Sequence, residues 1–190
     1  ELLKQNKFVI TLGGEHSVSI GSILAYKEKY NNISKLQIDA HADLLDEYQG
    51  SKLNHNCVMA RVKDICPFVQ VGIRSMSKTE TKDINKDKIF YAKDIYNSED
   101  WIPKAIAQLT QDVYITIDLD ALDPSIMPST GTPEPGGLQY YPLLKFLKKV
   151  IETKNVVGFD IVELCPTDNK APDYLAAKLL YKLIAYISFK

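Results

Sequence analysis

Short, continuously apolar runs alternate with longer segments of helical period along the whole chain. This alternation most restricts the fold. Val113-Tyr114-Ile115-Thr116-Ile117 is a continuous run without a charged side chain, which fits a strand covered on both sides. That is the habit of parallel sheets rather than of antiparallel ones. Phe8 to Leu12, Lys35 to Ile38, Phe68 to Ile73, Ile89 to Ala92, Val113 to Leu119 and Val156 to Val162 read as six strands. Between them, helices are expected from Ile20 to Tyr30, Val58 to Val62, Trp101 to Leu109, Tyr141 to Ile151 and Ala171 to Ile187. In the last, Leu175, Leu179, Leu183 and Ile187 recur every fourth residue and form one core-facing stripe. The pattern predicts an α/β fold in three layers, α/β/α, with a mainly parallel sheet. No Pro- or Gly-rich linker divides it, so residues 1–190 are expected to form one domain.

Composition removes other classes. The 23 basic and 24 acidic side chains balance to a net charge of -1, which gives no electrostatic footprint for nucleic acid. No apolar run approaches the ~20 residues of a membrane span. Cys57, Cys66 and Cys165 are odd in number and form no CxxC pair, which fits reduced thiols and a cytoplasmic protein.

In open α/β sheets, ligands bind beyond the carboxyl ends of the strands. Four of the six strands run there into polar residues. These are Gly13-Gly14-Glu15-His16-Ser17, Asp39-Ala40-His41-Ala42-Asp43, Asp118-Leu119-Asp120 with Asp123-Pro124, and Asp160-Ile161-Val162-Glu163. On an extended backbone Asp39, His41 and Asp43 share one face. Taken singly, His16 after a Gly-Gly turn fits a cap, Asp-x-Asp at a strand end fits a turn, and His55 fits a solvated loop. On separate strands of one parallel sheet the six residues His16, Asp39, His41, Asp43, Asp118 and Asp120 fit a pair of divalent cations. Four carboxylates against two M²⁺ would be neutral, and oxygen-rich ligation without thiolate favours Mn²⁺ or similar ions.

These motifs, with Gly131-Thr132-Pro133-Glu134-Pro135-Gly136-Gly137-Leu138 between them, resemble those of the ureohydrolase family of arginases and agmatinases. The stretch Asp46-Glu47-Tyr48-Gln49-Gly50 with Asn54-His55 and Arg61 is most similar to the agmatinase branch. The resemblance implies an arginase-like fold and two Mn²⁺ per chain. Asp39 and Asp118 would bridge them, with His16 and Asp43 on one ion and His41 and Asp120 on the other. It implies hydrolysis of agmatine to putrescine and urea by a metal-bridging hydroxide, a step of polyamine biosynthesis. Asp43 would also steady the hydroxide, Glu163 and Thr132 would bind the guanidinium, and His55 would carry the proton to the leaving amine. Arginine, guanidinobutyrate, aminopropylagmatine and formiminoglutamate are alternative substrates.

Three departures bear on this. Glu15 stands where many members have Asp, with little effect expected. Asn54 and Ala60 stand where agmatinases commonly have Ser and Arg, which touches substrate choice. The resemblance further implies a homo-oligomer, trimer or hexamer. It also matches Phe8 to Leu12 with the third of eight family strands, so that two N-terminal strands are expected to be missing and to leave an open, aggregation-prone edge. Two other classes are weighed: a dimetal phosphoesterase, whose Gly-Asn-His-Asp/Glu run is absent here, and a metal-free scaffold.

Overall fold

Residues 1–190 are described by a computed structural model. Six strands form one sheet: β1 (Val9–Leu12), β2 (Ile33–Ile38), β3 (Phe68–Ile73), β4 (Ile89–Tyr91), β5 (Asp112–Asp118) and β6 (Asn155–Val162). They run in the order β1-β6-β5-β2-β3-β4, and every pairing is parallel. All six residues of β2 are buried, as a strand covered on both faces requires.

The covering helices are α1 (Val18–Lys29) and α2 (Val58–Val62) on one face. On the other lie α3 (Ala92–Ile95), α4 (Trp101–Ala107), α5 (Tyr140–Thr153) and α6 (Ala171–Ser188). In α5, Leu143, Leu144, Phe146, Leu147, Val150 and Ile151 are buried; their spacing sets a broad apolar stripe against the sheet. In α6, Leu179 and Leu183 are fully buried, whereas Leu175 and Ile187 pack only partly against the core. Pro172 sits in the first turn of α6, where its missing N–H costs nothing.

Every expected strand is present, with shifted ends. β2 begins two residues earlier than expected, because Ile33 and Ser34 pair with Asp112 and Val113. β5 stops at Asp118, and Leu119–Ala121 turn instead into a single 3-10 turn. β4 stops at Tyr91 because Ala92 opens the short α3, which has too few residues to show a period. α4 ends at Ala107, although Leu109 beyond it is still buried.

The order of strands positions the site. β1, β6, β5 and β2 are consecutive in the sheet and are the four strands with polar carboxyl ends. After β2 the chain crosses to β3 by way of α2 on one face. After β5 it crosses to β6 by way of α5 on the other. The connections therefore part between β2 and β5, which opens the crevice that α/β folds use for ligands.

Candidate metal centre

Asp118 ends β5 and its Oδ1 accepts the Asp120 N–H at 2.9 Å; this cap forces the 3-10 turn that carries Asp120. On the adjacent strand the ladder of β2 stops at Ile38. Asp39, His41 and Asp43 therefore do not lie along one flat strand as the extended-backbone reading expected. Asp39 Oδ1 accepts its neighbour's N–H from His41 at 2.7 Å, and Asp43 adopts a left-handed φ of 55°. The Asp43 carbonyl accepts from Met59 N and Ala60 N, at 2.9 and 3.0 Å. Pinning by the start of α2 thus holds a backbone conformation that an Asp tolerates better than most residues. The curl turns the Asp43 carboxylate inward beside that of Asp39.

The result is two facing clusters. His16 Nδ1 is 3.2 Å from Asp39 Oδ2, 3.0 Å from Asp43 Oδ2 and 3.3 Å from Asp118 Oδ2. His41 Nδ1 is 2.9 Å from Asp120 Oδ2 and 3.7 Å from Asp39 Oδ1. His16–Asp39–Asp43 and Asp39–His41–Asp120 each offer three ligand atoms close enough to hold one cation, with Asp39 common to both. All six residues singled out from the sequence thus converge.

The donor set fits divalent cations on two observations. His16 Nδ1 is buried without a geometrically sound hydrogen bond, although three carboxylate oxygens surround it. The carboxylates also resist sharing their charge. Burial and the charge of Asp39 push Asp43 up to about 8. Burial, with Asp120 and Asp39, raises Asp118 well above the carboxylate range. Burial and Asp39 raise Asp120 too. For His41, burial opposes the charged ring, but the bonds to Asp120 and Asp39 win and push it up to about 11. Buried carboxylates this crowded need compensating positive charge.

A second tier of residues, invisible as motifs in the sequence, shapes these ligands. Gln37 Nε2 donates to Asp39 Oδ2 at 2.7 Å and to Asp43 Oδ2 at 3.3 Å, and its own Oε1 accepts from Gln70 Nε2 at 2.7 Å. Alternation along β2 could have placed Gln37 on the face of Asp39. Arg74, just beyond β3, donates to the carbonyls of Gly72, Asp120, Ala121, Leu122, Glu134 and Pro135. It thereby ties the Asp120 turn to the 131–138 loop. Gly137 sits against it, since a Cβ there would lie 2.7 Å from Arg74 Nη2 and 2.5 Å from Asp123 N.

The remaining candidates line the crevice. Glu163 follows β6 with a φ of 67°, an uncommon conformation for a glutamate and of the kind found at functional sites. Its Oε1 accepts the His16 N–H at 2.6 Å, and Oε2 faces Gly131. Burial raises its pKa despite that bond. Thr132 Oγ1 is 3.4 Å from Asp120 Oδ2. His55 opens a 3-10 turn capped by Asn54, and its Nδ1 meets Glu15 Oε1 at 3.1 Å. The sequence reading gave Glu15 no part in the site. The loop before His55 reverses at Gln49-Gly50, both at positive φ, with Tyr48 and Ser51 exchanging N–H···O bonds at 3.0 Å; a glycine at the second position suits such a two-residue turn. Arg61 closes the loop onto Asp46, through its side chain and its carbonyl.

Comparison with known proteins shows the family and the fold. The arginase family model matches residues 1–185. An N(1)-aminopropylagmatine ureohydrolase of Synechocystis sp. is 39% identical over 97% of this chain and 62% of its own length. An agmatinase of Pyrococcus horikoshii is 36% identical over 92% of this chain and 61% of its own length. Among solved structures, the agmatine ureohydrolase of Thermoplasma volcanium superposes with a TM-score of 0.86 at 35% identity, over 98% of this chain and 64% of that one. An arginase from Bacillus cereus superposes with a TM-score of 0.84 at 25% identity, over 96% and 72%. The chain spans somewhat over three fifths of the length of these curated relatives.

Proposed function

Because the chain belongs to the arginase family of ureohydrolases, we propose that it cleaves the guanidinium group of a linear guanidine to urea and an amine, using two Mn²⁺ held by the six clustered residues. Agmatine, giving putrescine, is the first reading. N(1)-aminopropylagmatine is the second, favoured by the names of relatives at 39–40% identity. The observation that carries the reaction class is the pair of facing Asp/His clusters that share Asp39.

His16 and Asp43 would hold one ion and His41 and Asp120 the other, with Asp39 and Asp118 between them. Bound there, the ions would supply an acidified water, hydroxide near pH 7. The chain's own side chains do the rest. Asp43 would accept a hydrogen bond from that water and keep it in register. Glu163 pairs with the planar guanidinium by charge-assisted hydrogen bonds, a geometry that two parallel N–H groups satisfy. Thr132 narrows the same side of the crevice. The amine must leave protonated, and His55, half-exposed and one hydrogen bond from Glu15, delivers that proton.

The cations of the loop, Arg61 and Lys52, both pair with Asp46, the latter at 3.2 Å, which supports an amine-tailed substrate over one that brings an α-carboxylate. No helix is long and apolar enough to cross a membrane; a trimer or hexamer follows from the family alone and is part of the proposal. The test is urea release from agmatine, N(1)-aminopropylagmatine and L-arginine after Mn²⁺ loading of the complete protein. Activity on arginine equal to or above that on both polyamine precursors would overturn the substrate reading.

A further inference from the structure

A chain of buried hydrogen bonds runs away from the cluster on the α1 side of the sheet. His16 Nε2 is 2.9 Å from Thr116 Oγ1. Thr116 Oγ1 donates to Asp160 Oδ1 at 2.5 Å. Asp160 Oδ2 accepts from the Tyr114 hydroxyl at 2.7 Å. Thr116 and Asp160 are wholly buried, and His16 and Tyr114 are 1% exposed, so bulk water does not exchange into this line.

The direction of each proton follows from counting. A carboxylate only accepts, and Asp160 is met by two hydroxyls. The single hydroxyl proton of Thr116 is committed to Asp160. Its oxygen can therefore only accept on the other side, where Ser19 Oγ at 3.3 Å and His16 Nε2 approach it. His16 must carry its proton on Nε2, an assignment read from the hydrogen-bond network. That leaves a lone pair on Nδ1, and Nδ1 is the atom that faces Asp39, Asp43 and Asp118 without a sound hydrogen bond of its own. A lone pair among three acceptor oxygens is repelled by all of them until positive charge stands there, which a proton on Nδ1 or a bound divalent cation supplies.

We propose that Thr116 and Asp160 are positioning residues that fix His16 as the Nε2–H tautomer and so hold Nδ1 ready for a divalent cation. The inference rests on the two-cation reading above. His41 has no counterpart to this line. Its Nε2 makes no hydrogen bond and its side chain is 19% exposed, so the two halves of the centre are held differently. Partners of this kind on a ligating histidine raise its basicity and lock its ring, and their loss typically costs 10–100-fold in metal affinity.

Isothermal titration of Mn²⁺ into the metal-stripped protein separates the outcomes. The wild type should take up two ions. Thr116→Val, equal in shape but without the hydroxyl, should weaken one of the two sites by about 10–100-fold and leave the other unchanged. Thr116→Ser should restore binding to within about threefold of wild type. Asp160→Asn, which can turn an amide N–H toward Thr116 and reverse the hydroxyl, should weaken the same site and serves if the valine variant does not fold. Wild-type affinity at both sites in Thr116→Val, or a serine variant as weak as the valine one, would overturn the positioning role. A wild type that binds no Mn²⁺ would instead remove the cation reading itself, and the inference with it.

Discussion

Glu15 and His55, 40 residues apart, meet at 3.1 Å between a carboxylate oxygen and Nδ1. The Tyr48 ring stands edge-on to the imidazole at 5.7 Å. The same carboxylate also accepts from the Ser17 hydroxyl and, at 3.2 Å, from the Ser17 N–H, so it is itself held in place. A shorter Asp at this position would have to bring the two backbones closer to make both contacts. Glu15 therefore orients the histidine assigned to proton delivery. His55→Ala should lower kcat by about 100-fold and keep both metals. Glu15→Ala should lower it by about tenfold, and the double variant should be no worse than His55→Ala, because the two act as one unit. Steady-state urea release from the three variants checks this, and losses that multiply would separate the residues.

Asp118 faces His16 at 3.3 Å and caps the turn that carries Asp120. In the proposed centre, Asp118→Ala would remove one carboxylate donor and loosen the turn that carries a second, Asp120. Activity should fall below detection and Mn²⁺ content to one ion per chain or less, as read by elemental analysis on a sample whose circular dichroism is native.

Arg74 satisfies six carbonyls from three segments with one planar cation. Arg74→Met removes the donor from part-buried carbonyls of all three segments, a loss of about 2 kcal/mol. Arg74→Lys should recover little, because an ammonium cannot reach the same fork of acceptors. Urea denaturation of the metal-stripped proteins measures both.

Lys35 lies at the middle of β2, fully buried, with no hydrogen-bond partner for Nζ. Burial lowers its pKa to about 8 from the ordinary 10.5, although Asp160 and Asp43 pull the other way. The unfolded chain keeps this proton up to pH 10.5 and the folded chain only to about 8. Between those values the unfolded state binds more protons, so this group makes stability rise with pH, by about 3 kcal/mol across the window. Lys35→Met should accordingly be more stable than wild type at pH 7, and the gap should close by pH 10. Denaturation of both proteins at the two pH values tests the sign.

The fold was legible because it rests on period. Runs such as Val113 to Ile117 carry no charged side chain, which fits a doubly covered parallel sheet. The ends were less so. Pairing with Asp112 extends β2 to Ile33, and the Asp118 cap ends β5 early; both depend on neighbours distant in sequence. The ligand residues were legible as polar groups at strand ends, but the path that brings them together was not. Asp43 reaches the cluster through a left-handed turn pinned by α2, not along a flat strand. Thr116 and Gln37 read as ordinary strand residues, and Asp160 only as part of a polar strand end, since their work depends on which strand lies beside them. Glu15 required knowing that the loop ending at His55 folds back over it.

The central claim is that six side chains from three strand ends hold two cations in one site. The most direct measurement is metal content by elemental analysis after Mn²⁺ saturation and desalting of the folded protein. The account predicts two ions per chain in the wild type. Fewer than one ion per chain in a natively folded sample would contradict it.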